Sequence, residues 1–207
     1  MLSVNTLAPT VNFGSNMYIL ESEGEYAVID PSVNFFKTLQ KCPIEPKKVK
    51  YIILTHAHFD HFLEIESWKN STDATVLISE YDGPSLADSY KNAYKVFFGL
   101  DRGYHGPYTK ISGGEKILLG ADALTVYSTP GHTPGGICLL CGDVMFSGDT
   151  VFADGGYGRY DLPGGDYETL VASLRYISKF DSGIKVYPGH GRPTDIREIR
   201  SYFASIN

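Results

Sequence analysis

Thr55-His56-Ala57-His58-Phe59-Asp60-His61 is the stretch that decides how this chain is read. Four of its seven residues offer a metal ion a ring nitrogen or a carboxylate oxygen. The apolar run before it, Tyr51-Ile52-Ile53-Leu54, has the length and β-branching of a buried strand. Side chains two apart on a strand project the same way, so His56 and His58 can converge on one ion at its end. Asp60 and His61 lie where Phe62 to Trp68 begins to read as a helix. Neighbouring residues diverge there, which places this pair to reach a second ion beside the first. One isolated histidine is more often a packed or surface residue, but four donors on one strand tip ask for a metal.

Working outward, three more segments put donors at strand ends beside glycine, where side chains approach an ion without Cβ crowding. Thr129-Pro130-Gly131-His132-Thr133-Pro134-Gly135-Gly136 carries one, Ser147-Gly148-Asp149-Thr150 a second, and Tyr187-Pro188-Gly189-His190-Gly191 a third. Each is a common turn by itself, and their combination is the signal. Strands are expected at 17–20, 26–29, 74–78, 116–119, 123–127, 137–141, 144–146 and 185–187. Helices are expected near 35–39, after Asp82-Gly83-Pro84, after a cap at Asp166, and after Thr194. The stretch 85–110 is irregular and aromatic, and reads as a crossover between two halves or a lid; His105 within it reads as a surface or lid residue.

Composition narrows the classes. A chain of 207 residues fits one domain, or two halves of about 1–84 and 111–207 sharing a core. Its net charge of −6 argues against nucleic acid, whose phosphates want a basic face. No apolar run approaches the ~20 residues of a membrane span. The start shows no export signal, so the cytoplasm is the expected compartment. Cys138 and Cys141 are three apart on one strand, face opposite sides, and read as packing rather than redox or zinc.

The motif H-x-H-x-D-H after an apolar strand, followed by the three turns in that order, resembles the metallo-β-lactamase superfamily. The resemblance implies a four-layer αββα sandwich. It also implies two divalent transition-metal ions, zinc first, with iron and manganese also suited. His56, His58 and His132 would hold one ion, Asp60, His61 and His190 the other, and Asp149 would bridge them. Asp30 matches a recurring Asp after an early strand, with either a supporting or a turn-capping role. Gly158-Arg159-Tyr160-Asp161-Leu162-Pro163-Gly164-Gly165-Asp166 resembles the short bacterial glyoxalase II-like hydrolases. Arg159 then stands at a substrate contact, with Asp161 where a tyrosine would be usual. Only 17 residues follow His190, so the helical C-terminal domain of the longer enzymes is expected to be missing.

This resemblance implies a small-molecule hydrolase for thioesters, hydroxyacylglutathione among them, or similar esters. Two cations about 3.5–4 Å apart would share a water and lower its pKa to roughly 7, with Asp60 orienting it and carrying its proton. The alternative is a persulfide dioxygenase with one iron on His56, His132 and Asp149. A ribonuclease, a β-lactamase and a non-catalytic metal-binding module rank below it. No Walker loop, serine elbow or dinucleotide fingerprint competes.

Overall fold

The computed structural model describes residues 2–203. Twelve strands form two six-stranded sheets among these residues. The first holds β1 (Ser3–Leu7), β2 (Met17–Ser22), β3 (Glu25–Ile29), β4 (Val49–Ile53), β5 (Thr75–Ser79) and β6 (Thr109–Ile111), in that spatial order. The second holds β7 (Lys116–Leu119), β8 (Asp122–Ser128), β9 (Ile137–Cys141), β10 (Val144–Gly148), β11 (Lys185–Pro188) and β12 (Thr194–Asp195). Its spatial order also follows the chain, from β7 at one edge to β12 at the other. Five α-helices accompany them: α1 (Phe35–Leu39), α2 (Ile65–Ser71), α3 (Tyr94–Phe98), α4 (Tyr167–Ile177) and α5 (Ile196–Phe203). None is long and apolar enough to cross a membrane.

Alternation along the strands produces four layers. Met17 and Ile19 face outward under α1 and α2, while Tyr18 and Leu20 between them face the second sheet. Ile52 and Ile53 divide the same way on β4. On β9 and β10, Leu139 and Phe146 meet the first sheet, and Cys138 and Met145 pack against α4 and α5. Both faces of each sheet are therefore buried, and the order is helix, sheet, sheet, helix. The two cysteines of the C-x-x-C do lie in different cores, Cys138 under the helices and Cys141 between the sheets.

Three strands escape the sequence reading. Ser3–Leu7 and Thr109–Ile111 are edge strands with mostly exposed residues, and Thr194–Asp195 is only two residues long. None carries an apolar alternation to find. The helix expected from Phe62 begins instead at Ile65, because Phe59–His61 forms a separate 3-10 turn. The stretch 85–110 differs more. It does not join the halves: it returns to the first sheet as β6, and the chain crosses to the second sheet at residues 112–115. Leu86, Ala93 and Tyr104 sink into the outer core of the first sheet, while Phe97 and Phe98 on α3 stay exposed. The stretch is thus part core and part surface.

Trp68 anchors the outer layer. It is fully buried, stands edge-on to Phe35, and donates its indole N–H to the Val33 carbonyl at 2.8 Å. Trp68→Ala should cost about 3–5 kcal/mol, measured as a shift in denaturant midpoint at constant slope.

Candidate metal centre

All seven predicted donors gather where the strands of both sheets end. β3, β4 and β5 run parallel, as do β10 and β11, so each set delivers its loops to one edge. The tip of β4 supplies His56, His58, Asp60 and His61. The second sheet supplies His132 after β8, Asp149 after β10 and His190 after β11. His132 Nε2 lies 2.8 Å from His58 Nδ1 and 3.2 Å from His56 Nε2. His190 Nε2 lies 3.1 Å from Asp60 Oδ2, with His61 Nε2 at 3.7 Å from the same oxygen. Asp149 stands between the two groups: Oδ1 is 3.3 Å from His61 Nε2, and Oδ2 is 3.6 Å from His132 and 3.4 Å from His190. A Cβ at Gly189 would overlap Asp149 Oδ1, so only glycine lets β11 end this close.

A family model for the metallo-beta-lactamase superfamily matches residues 10–190. The chain belongs to this superfamily. A hydroxyacylglutathione hydrolase of Haemophilus influenzae is 30% identical to it, over 94% of each chain. The B3 metallo-beta-lactamase BLEG-1 has the same fold, with a TM-score of 0.86 and 27% identity over 98% of both chains. The structure of TTHA1623 in a di-iron-bound form matches with a TM-score of 0.80 and 29% identity, over 97% of this chain and 98% of that one.

Whether the superfamily's metal fits here can be judged from the neighbours of each ring, which fix where its protons sit. The His132 Nδ1–H donates to the Arg159 carbonyl at 2.6 Å, leaving the Nε2 lone pair aimed at His56 and His58. Thr55 Oγ1 donates to Asp30 Oδ2 at 2.7 Å and so accepts from His56 Nδ1 at 3.1 Å, which leaves His56 Nε2 bare. Asp30 Oδ2 also accepts from His61 Nδ1 at 2.8 Å. His61 Nε2, His58 Nε2 and Asp149 Oδ1 are buried without a hydrogen-bond partner among the described residues. The facing lone pairs of His56 Nε2, His58 Nδ1 and His132 Nε2, and of His61 Nε2 and Asp149 Oδ1, are the environment a cation satisfies. The donor set fits.

Without metal, the two ends of the site behave oppositely. Burial pushes the imidazoles of His56 and His58 down, His58 to about 3, so protons cannot neutralise that group. Burial opposes protonation of His61 as well, but the carboxylates of Asp149, Asp30 and Asp60 hold it well above the ordinary range. His190 likewise resists burial and rises to about 9 through Asp149 and Asp60. Burial would raise Asp60 and Asp149, yet His61 and His190 keep both below the usual carboxylate range. Protons on His61 and His190 therefore stand where a cation would.

Two positions tie the loops together. Asp30, in the left-handed region at φ 53°, accepts from Thr55 N at 2.8 Å as well as from Thr55 Oγ1 and His61, so it supports the metal loop rather than only closing a turn. Asp82 precedes a 3-10 turn, Gly83–Leu86, in place of the expected helix, and its further work is invisible in sequence. Buried after β5, it accepts from Ala57 N at 2.9 Å, Thr133 Oγ1 at 2.8 Å and Gly135 N at 2.7 Å. The donors come from two loops far from each other and from Asp82 in the chain, so no local pattern could have shown the link. It clasps the His58 loop of one sheet to the His132 loop of the other.

A cleft of about 280 Å³ opens onto the site, lined by His58, Asp60, His132, Asp149 and His190 together with Ala93, Phe97, Phe152, Arg159 and Leu162. Arg159, one of the two expected substrate residues, does reach it. Asp161 does not line it: it grips Arg159 through Nε and one terminal nitrogen, each at 2.7 Å. His105 is exposed and outside the site.

The pH dependence of the metal-free protein follows from these directions. His56 and His58, held below their ordinary values, contribute stability above about pH 6.5 and lose it as pH falls. Groups held above, His190 among them, contribute fully below about 6.5 and lose it as pH rises through about 9. Chelated protein should be most stable near pH 6.5, with a melting temperature falling on both sides; a melting temperature still rising at pH 9 would contradict the proton placement. Separately, Asp82→Ala should weaken metal binding by roughly 10–100-fold in chelator competition, because the two loops lose their common acceptor.

Proposed function

We propose that the protein is a binuclear metallohydrolase that cleaves thioesters or related small esters. His56, His58 and His132 would hold one cation and Asp60, His61 and His190 the other, with Asp149 placed between the two groups. The observation that carries this reading is the set of bare nitrogen and carboxylate lone pairs converging from both sheets on two adjoining points. Two divalent cations bound there supply a nucleophilic water at neutral pH and a Lewis acid for the substrate carbonyl. Zinc is the first choice by donor type, and the di-iron TTHA1623 supports iron as well.

The chain's own residues do the rest. Asp60, at the floor of the cleft, orients the attacking water and takes its proton. Water adds at the carbonyl carbon, the carbon–sulfur bond breaks, and the products are a carboxylate, a proton and a thiol. The Haemophilus relative's activity on a glutathione thioester supports this substrate class. A one-iron dioxygenase on His56, His132 and Asp149 would leave His58, Asp60, His61 and His190 without a task. The free thiols of Cys42, Cys138 and Cys141 fit a reducing cytoplasm.

Protein from metal-replete cells should contain about two transition-metal ions per chain and hydrolyse members of a thioester panel. Asp60→Asn should lower kcat by about 10²–10⁴-fold while metal content, measured in the same samples, falls far less. Saturation at a single ion, or oxygen consumption with a persulfide, would overturn the binuclear hydrolase.

A further inference from the structure

The cleft combines an apolar wall with a cation that is already engaged. Arg159 is the one Lys or Arg among the residues that line it. Its guanidinium is forked onto Asp161 and sits over the Phe97 ring, 5.6 Å from the centroid. Three other cations of the stretch 85–110 are similarly occupied. Lys95 pairs with Asp101 at 3.0 Å, Lys91 lies 4.0 Å from Asp88, and Arg102 donates to the Leu63 carbonyl beside the Tyr94 ring. A substrate carboxylate would have to displace Asp161 from Arg159. The two are only two residues apart, so Asp161 competes at an effective concentration of millimolar order or higher, and exchanging one carboxylate for another gains little.

The rest of the wall favours hydrocarbon. Ala93, Phe97, Phe152 and Leu162 face the cleft. Phe97 is 51% exposed, and outward from it Phe98 and Phe13 continue the aromatic surface with rings 5.3 Å apart. Such an exposed aromatic run marks a binding surface more often than idle surface. A cavity of about 280 Å³ lies just under the usual range for small-molecule sites, about 300–1,000 Å³, and suits an acyl group of modest length.

Resting on the hydrolase reading above, we propose that the cleft selects thioesters with an apolar acyl group and a thiol arm that carries no net negative charge. Asp161 sets that preference by occupying Arg159, and Phe97 supplies the surface for the acyl chain. Glutathione, with two carboxylates and one ammonium, is then a poor leaving arm for this enzyme.

The test compares kcat/KM for hexanoyl thioesters of N-acetylcysteamine, which is neutral, and of glutathione, with acetyl thioesters as the short-chain reference. The metal-loaded wild type should favour the neutral arm by tenfold or more. Asp161→Asn should move that ratio toward glutathione by at least tenfold, mainly through KM, and Asp161→Glu should restore it by re-forming the ion pair. Phe97→Ala should reduce the hexanoyl-over-acetyl preference by about tenfold. A wild-type preference for glutathione, or an arm ratio unmoved by Asp161→Asn, overturns this inference and leaves the hydrolase intact. Absence of turnover with every thioester overturns the hydrolase reading and the inference with it.

Discussion

Lone pairs that face one another across 3 Å repel unless positive charge sits among them, and this constraint organises the molecule. His56 and His58 are buried too deeply to resolve it with protons. The scaffold holds His56 and His132 in place regardless, through hydrogen bonds that use the nitrogen turned away from the pocket. Asp30 and Asp82 are the residues that make this possible. One fixes the start of the metal loop and the rotation of His61; the other binds that loop to its counterpart on the second sheet. Both carboxylates are buried among N–H and O–H donors, the setting in which buried charge is tolerated.

How much of this was legible in the sequence depended on whether the signal was local. His56 to His61 form a dense motif on an apolar strand, and the glycine-flanked turns at His132, Asp149 and His190 announce strand ends. The donors could therefore be chosen before their positions were known. The sandwich came with the family resemblance that these motifs carry, in line with the order of strands and helices along the chain. Asp82 was hidden because its three partners come from two distant loops. The edge strands were hidden because exposed pairing leaves no apolar pattern behind. The stretch 85–110 was misplaced for a related reason. Its buried residues, Leu86, Ala93 and Tyr104, are too widely spaced to show a period, so an excursion of the first half looked like a link between halves.

The same stretch shows how one segment serves packing and recognition at once. Tyr104 and Ala93 hold it against the outer core, and that attachment frees α3 to present Phe97 at the cleft. Arg159 illustrates a similar economy. Its backbone carbonyl orients His132, while its side chain is steered by Asp161, so one residue joins the metal pocket to its entrance.

The donors are divided almost evenly, four from the first sheet and three from the second. Neither half holds a complete site, so any cation bound there grips only the docked pair. Stability then rises with the logarithm of free metal concentration over its dissociation constant. A chelator then loosens the hold of one sheet on the other without touching a single residue of either core.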